Sequence, residues 1–148
     1  MKKESNPMDK FQFLLGTWRM VYKILKSRNI LEDIGVGEGT FTSILNDRYI
    51  TFDYHVNLKT SKAAAHAIFA FDEDRKIYRY WWFEDSGKFM KAMGDFINKN
   101  KLMLIWEENQ LVQTFHRLKN GNVILSMINQ SDINDHEIIL EVLFTKKM

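Results

Sequence analysis

The sequence predicts an all-β protein: a single antiparallel up-and-down β-barrel of about ten strands, with a short N-terminal helix that caps one end. Three observations support this prediction. Strand-like segments recur at the roughly 8–12-residue spacing of all-β barrels and sandwiches. Turn-forming residues separate these segments, as in Asn46-Asp47, Asp85-Ser86-Gly87 and Asn120-Gly121. The single proline, Pro7, precedes every strand-like segment and therefore interrupts none of them.

The composition is that of one folded domain. The chain has 148 residues, 45% of them hydrophobic and 27% charged, so residues 7–148 are expected to form one domain behind a flexible tail at residues 1–6. A net charge of +2, from 21 basic and 19 acidic residues, is too balanced to indicate nucleic acid or a membrane surface as a partner. Because cysteine and an apolar signal segment are both missing, a bacterial, cytoplasmic protein is expected.

A short helix is predicted ahead of the first strand. The residues that suit its N-cap, its first position and its first turn are Asn6, Pro7 and Asp9. Phe11, Leu14 and Leu15 then share one helical face, and Gly16 suits the stop at its C-terminus. Because a helix of about ten residues is not stable alone, it is expected to dock across one end of the barrel.

The strand-like segments follow in order. They are Trp18–Lys26, Gly35–Leu45, Arg48 to about Val56, Ala63–Phe71, Lys76–Phe83, Lys88–Ile97, Leu102–Glu107, Leu111–Leu118, Val123–Gln130 and Glu137–Lys146. The first alternates strictly, with Trp18, Met20 and Tyr22 on one face and Arg19 and Lys23 on the other.

The hairpin around Asn46-Asp47 has the clearest predicted inner and outer faces. A two-residue turn pairs Phe41 with Phe52 and Gly39 with Tyr54. The resulting apolar face carries Phe41, Ile50, Phe52, Tyr54 and Val56. The opposite face carries Glu38, Thr40, Thr42, Thr51, Asp53 and His55, and is expected to face solvent.

Turn lengths carry the inward and outward alternation from one strand to the next. Starting from inward Ala92, Gly94 and Phe96, turns of even length predict an inward set on the following strands. It comprises Met103, Ile105, Glu107, Val112, Thr114, His116, Val123, Leu125 and Met127. On the last strand, alternation with Glu137 and Glu141, which are expected to point outward, predicts an inward set of Ile138, Leu140, Val142 and Phe144. The same alternation puts Trp106 and Phe115 outside, where they are expected to be covered in a homodimer or to bind another chain.

The aromatic strand Tyr78–Phe83 has two interpretations. If Gly87 closes a three-residue loop, then Tyr78, Tyr80 and Trp82 point inward. A two-residue loop would instead turn Arg79 and Trp81 inward beside His66. We favour the three-residue loop, because Gly after Asp-Ser is typical of that turn.

The predicted interior is rich in amphipathic side chains, which favours a cavity for an apolar or aromatic small molecule. The residues expected to bind it are Tyr22, Phe41, Tyr54, Tyr78, Tyr80, Trp82 and His116. The alternative is an enzyme that uses His116, Tyr80 and Glu107 as acid or base. The histidines at 55, 66, 116 and 136 lack zinc-site spacing, so no metal is predicted.

Gly16-Thr17-Trp18, after a short helix and at the start of a barrel, resembles the Gly-x-Trp signature of the calycin superfamily, the lipocalins, fatty-acid-binding proteins and relatives. Gly37-Glu38-Gly39-Thr40 and the stretch from Trp81 to Gly87 are similar to an uncharacterised bacterial family of lipocalin-like barrels. The resemblance implies a structural role for Gly16 and Trp18, with Trp18 at the closed end against Lys146 or Lys147. Some calycin-like barrels isomerise or decarboxylate small organic acids, which is what the enzyme alternative implies.

A more distant similarity to the nitrobindins implies haem as the cofactor to consider. In those proteins the Gly-x-Trp signature runs directly into a Gly-x-Gly-x-Gly stretch. Here Gly35–Gly39 lies well downstream of Trp18, beyond a polar connection. No cofactor is therefore predicted.

Overall fold

The computed structural model is a closed antiparallel barrel of ten strands, and it describes residues 6–25, 32–108, 111–129 and 137–147. A 3-10 helix, Pro7–Leu14, precedes the strands. The strands are β1 (Gly16–Ile24), β2 (Asp33–Ile44), β3 (Tyr49–Leu58), β4 (Lys62–Asp72), β5 (Ile77–Glu84), β6 (Phe89–Asn98), β7 (Lys101–Trp106), β8 (Val112–Arg117), β9 (Val123–Asn129) and β10 (Glu137–Lys146). Each strand pairs with its chain neighbours, and β1 pairs with β10 to close the barrel. The predicted up-and-down topology is confirmed; Lys26, Gln130 and His136 of the sequence analysis lie outside the described residues.

The N-terminal helix starts where the sequence predicts but winds more tightly. The Asn6 side chain accepts a hydrogen bond from the Met8 amide at 3.0 Å, as an N-cap does. A 3-10 helix repeats every three residues, so its buried face is Met8, Phe11 and Leu14. Leu15, predicted on that face, is only half-buried.

This helix caps one end of the barrel. The Phe11 ring lies 5.0 Å from that of Phe69 and 5.2 Å from those of Tyr78 and Phe96. The Tyr78 hydroxyl donates to the Pro7 carbonyl at 2.6 Å. Aromatic packing and one hydrogen bond therefore close this end with side chains.

Trp18 lies beneath the helix, at the start of β1. Its indole N–H donates to the Leu14 carbonyl at 2.7 Å, and its ring meets the Phe144 ring edge-on at 6.2 Å. The Lys146 ammonium sits 4.6 Å above the indole and also bonds the Leu15 carbonyl. Trp18 thus joins the helix, β1 and β10 at the closed end.

The hairpin between β2 and β3 has the predicted register. Phe41 pairs with Phe52 and Gly39 with Tyr54, and the Arg48 amide donates to the Leu45 carbonyl at 3.3 Å. The two phenylalanine rings stack at 3.9 Å with 3° between their planes. The inner and outer faces of this hairpin are therefore as predicted, although Thr51 on the outer face is buried instead of solvent-exposed.

The loop between β5 and β6 is the three-residue one. The Glu84 amide donates to the Lys88 carbonyl at 2.8 Å, and Gly87 has a φ of +90°, which favours glycine. Tyr78 and Tyr80 are accordingly buried, and Trp82 packs against the core. All three point inward, as the sequence analysis favoured.

The predicted alternation is wrong on β7 because β6 contains a bulge. Next to the turn, Asn98 pairs with Lys101, as a turn of even length requires. The next pair is Phe96 with Leu102, so Ile97 is an extra residue on β6 without a partner position on β7. An extra residue on one strand inverts the inward and outward sides of the partner. The inward residues of β7 are therefore Leu102, Leu104 and Trp106, in place of Met103, Ile105 and Glu107.

The same inversion passes to β8, because Ile105 pairs with Val112 and the connection between the two strands therefore has the even length that was assumed. Gln113 and Phe115 pair with Leu104 and Leu102 and are 3% and 0% exposed. His116 is exposed on the outer wall, so its predicted inward orientation is wrong. Val112 and Thr114 share that outer side, although both are buried.

A second inversion at the next turn cancels the first. The Leu118 amide donates to the Asn122 carbonyl at 2.8 Å, and Gly121 has a φ of +90°. The loop thus has three residues instead of the two assumed for Asn120-Gly121. This returns β9 to the predicted orientation, with Val123 and Leu125 buried.

Two further predictions change with the corrected alternation. Trp106 and Phe115 are 4% and 0% exposed inside the barrel, so they are not the outer surface from which a homodimer or partner contact was expected. A register shift between Ile138 and Leu140 turns Ile138 outward, where it is 38% exposed.

Candidate functional site

A cavity of about 250 Å³ occupies the end of the barrel opposite the helix. It lies at the last residues of β1, β3 and β5 and the first residues of β4 and β6, with Trp18 at the far end of β1. Its lining is largely apolar. The polar members are Tyr22, Tyr54, Tyr80, Gln113 and Glu84, together with the indoles of Trp82 and Trp106. An apolar pocket with a few convergent polar groups is typical of a small-molecule site.

Four of the seven predicted ligand-binding residues line this cavity: Tyr22, Tyr54, Tyr80 and Trp82. They come from β1, β3 and β5, whose faces the sequence predicts correctly. Phe41 is instead packed in the core against Phe52, and Tyr78 lies against the helix. His116 borders a separate basic groove with Lys99 and Arg117, on the outer wall.

Four further lining residues were not predicted from the sequence: Trp106, Gln113, Met90 and Glu84. Trp106 and Gln113 were assigned outward because the bulge in β6 inverts β7 and β8. Gly121 carries a signal for the second inversion, since glycine at the end of a three-residue loop is common. The sequence around Ile97 contains no comparable signal for the bulge in β6, which causes the first inversion.

Two indole hydrogen bonds organise the polar side of the cavity. Trp82 donates from Nε1 to the Tyr54 hydroxyl at 2.8 Å, and Trp106 donates from Nε1 to Oε1 of Gln113 at 3.1 Å. The two indole rings meet edge-on, 6.0 Å apart and at 85°. The Tyr80 ring is also edge-on to Trp106, at 5.6 Å. These contacts hold the aromatic wall in one arrangement.

Burial keeps the cavity tyrosines neutral. It raises the pKa of Tyr22 and of Tyr80 well above the ordinary value of 10.0, and the neighbouring Tyr54 adds to both shifts. Burial also raises the pKa of Tyr54, while the hydrogen bond from Trp82 opposes the rise. At neutral pH all three phenols therefore carry their protons and can donate hydrogen bonds.

We expect the free energy of unfolding to fall as the pH rises above about 10, because tyrosines of the unfolded chain ionise there. The folded barrel resists ionisation: besides the three cavity phenols, burial raises the pKa of Tyr78 to about 12. The protonated form is favoured by folding, so this stabilisation is complete below pH 10 and is lost as the pH rises toward the folded pKa values.

Denaturant unfolding at a series of pH values between 7 and 12 measures this loss. Tyr80→Phe removes one buried phenol with little change of shape, and should make the alkaline loss shallower. An unchanged alkaline slope in both Tyr80→Phe and Tyr78→Phe would contradict the assignment.

The structure does not assemble the predicted catalytic set of His116, Tyr80 and Glu107. Tyr80 lines the cavity, whereas His116 lies on the outer wall. The Glu107 carboxylate is 3.4 Å from the Lys91 ammonium and does not line the cavity. A reaction that depends on these three groups together is therefore not supported.

The cavity does not fit haem, the cofactor considered from the sequence. Its volume of about 250 Å³ is below the roughly 300–1,000 Å³ of pockets for drug-sized ligands. No histidine is among its described lining residues. Within the described ranges, no three His, Asp or Glu side chains are grouped to hold a metal ion.

Comparisons with known proteins assign a family but no activity. The sequence profile of the family described as "Protein of unknown function (DUF1579)" matches residues 4–133. No curated protein matches the chain.

In the part of the chain that the structure describes, no helix has the length and apolar character needed to span a membrane.

Two solved structures share the fold. The crystal structure of Rv2717c from M. tuberculosis has a TM-score of 0.73 at 11% identity, covering 99% of this chain and 100% of that one. The S-type phycobiliprotein lyase CPES from Guillardia theta has a TM-score of 0.56 at 8% identity, covering 98% and 94%. At these identities the similarity is one of fold.

Proposed function

We propose that this chain, which belongs to the DUF1579 family of proteins of unknown function, is a binding barrel that holds a small, mostly apolar or aromatic molecule in the cavity opposite its helix. The cavity itself is the observation that supports this most directly. One end of the barrel is filled by Phe11, Trp18 and Phe69, whereas the other encloses space among Tyr22, Tyr80 and other lining residues. A barrel with a purely structural role could be filled with side chains at both ends, so the cavity at one end favours a binding function.

The size of the cavity limits the ligand. A 150 Å³ apolar cavity in another protein binds benzene, so about 250 Å³ suits a molecule of roughly two fused rings. The edge-on indoles of Trp82 and Trp106 offer a flat ring an aromatic wall.

The closed end supports a calycin-type barrel. The sequence resemblance to calycins implies a basic residue of the last strand against Trp18, and Lys146 lies 4.6 Å from the indole. Calycin-type barrels bind small molecules in their interior, and the fold shared with a phycobiliprotein lyase is in keeping with this proposal.

Binding of 1-naphthylamine, an uncharged dye with two fused rings, tests the proposal and is measured through its fluorescence. We expect the dye to bind, and Ala65→Phe to abolish binding because Ala65 lines the cavity. Ala64→Phe is the matched control: its side chain lies one residue away on the exposed outer wall, so binding should be retained.

Trp82→Ala and His116→Ala form a second pair. Trp82→Ala removes part of the aromatic wall and should raise the Kd of the dye by roughly tenfold, equivalent to about 1.4 kcal/mol of binding free energy. His116→Ala should leave the affinity unchanged, because His116 is outside the cavity. Failure of the folded protein to bind the dye, or equal loss in Ala65→Phe and Ala64→Phe, would overturn the proposal.

A further inference from the structure

The charges around the cavity are unbalanced. Glu84 is its one charged member among the described lining residues, and no lysine, arginine or histidine is among them. Glu84 lies at the last position of β5, where the Ser86 hydroxyl donates to its carboxylate at 2.6 Å. An anionic ligand would share the cavity with this carboxylate and would lose its hydration without gaining a cation from the described lining residues.

The hydrogen bonds within the wall leave donors facing the cavity. An indole N–H can only donate, so the Tyr54 oxygen and the Gln113 Oε1 atom are both acceptors in their bonds with Trp82 and Trp106. The Tyr54 hydroxyl hydrogen is therefore available for another acceptor. The bond from Trp106 also fixes the amide orientation of Gln113, whose NH₂ group donates to the Tyr80 hydroxyl.

Of the remaining phenols, only Tyr80 adds to this donor set, because the Tyr22 hydroxyl donates to that of Tyr54. Tyr80 is 3% exposed and its oxygen accepts from Gln113, so its hydroxyl hydrogen cannot turn to bulk solvent and has the cavity in front of it. A ligand that presents no acceptor would leave these donors without the partner that buried polar groups require.

We propose that the cavity selects an uncharged, flat carbonyl compound, whose oxygen accepts hydrogen bonds from Tyr54 and Tyr80, and that it rejects carboxylates. The inference rests on the proposed binding function and adds the chemical class of the ligand. The aromatic wall contacts the ring and the donors bind the carbonyl oxygen. Among the described lining residues Glu84 is the one charged group, which disfavours an anion.

Three naphthalenes of nearly equal size test this selection: 2-acetylnaphthalene, a neutral ketone; 2-ethylnaphthalene, which has no acceptor; and 2-naphthoate, an anion at pH 7.5. Their affinities for the full chain are measured by calorimetry. We expect the ketone to bind roughly 2- to 10-fold more tightly than the hydrocarbon, the effect of a net hydrogen bond. We expect the carboxylate to bind at least about tenfold more weakly than the ketone, since none of the described lining residues supplies a cation for its charge.

Single hydroxyl deletions identify the donors. Tyr80→Phe and Tyr54→Phe should each reduce the ratio of the ketone affinity to the hydrocarbon affinity, both measured in the same variant, because each removes one hydroxyl that donates to the ketone oxygen. Tyr49→Phe is the control, since Tyr49 is 38% exposed on the outer wall; it should change neither affinity.

The outcomes separate the two proposals. If none of the three compounds binds, the proposed binding function fails. If the ring compounds bind but the ketone has no advantage, if the carboxylate binds most tightly, or if the ketone preference survives in both tyrosine variants, the binding barrel stands and the inferred ligand class is overturned.

Discussion

Replacing Trp18 with alanine is expected to lower the free energy of unfolding by roughly 3–5 kcal/mol, as for other large buried aromatic residues. Trp18 is 2% exposed and packs against Phe144. The change leaves a cavity at the closed end and removes the donor that the Leu14 carbonyl accepts from. It also removes the ring beneath the Lys146 ammonium, so the contacts that hold the helix against β1 and β10 weaken together.

Thermal and denaturant unfolding measure this loss, with two variants for comparison. Trp18→Phe keeps a ring but lacks the N–H donor, and should have an intermediate stability. Trp81→Ala removes the same side chain from a half-buried position on the outer wall, and should cost less than Trp18→Ala. A Trp18→Ala protein that melts within a couple of degrees of the wild type would refute the structural role of Trp18.

Phe115→Ala should cost a similar amount, about 3–5 kcal/mol, whereas His116→Ala at the next position should change stability by no more than about 0.5 kcal/mol. Phe115 is fully buried, with its ring 5.9 Å from Phe69 and 6.4 Å from Phe41 and Phe144. His116 is exposed on the other side of the strand. The contrast arises because neighbouring residues of a strand point to opposite faces.

Equilibrium unfolding of the two variants under one set of conditions makes this comparison. Each serves as the control for the other, because the two substitutions are adjacent on β8 and perturb the same strand. A large loss in His116→Ala with a small loss in Phe115→Ala would restore the orientation that turn lengths alone predict, and would contradict the bulge in β6.

Local patterns were sufficient for much of the candidate site. The alternation of β1 placed Tyr22 inward, the Asn46-Asp47 turn placed Tyr54 inward, and the loop at Gly87 did the same for Tyr80. In each case the deciding information lies within a few residues of the strand, because a turn type has its own residue preferences. The short helix, Trp18 and its basic neighbour Lys146 also follow from local sequence and a family resemblance.

The far side of the cavity depends on the tertiary structure. Trp106 and Gln113 line it only because β6 contains a bulge near Ile97 and the loop at Gly121 has three residues. Each such irregularity inverts every side chain on the next strand. A bulge is selected by the bending and closure of the whole barrel, and no residue beside Ile97 has a preference strong enough to show it. The sequence by itself therefore determined the barrel, its capped end and half of the cavity wall. Whether Phe115 or His116 points into the interior depends on the bulge in β6, and hence on the closure of the ten-stranded barrel.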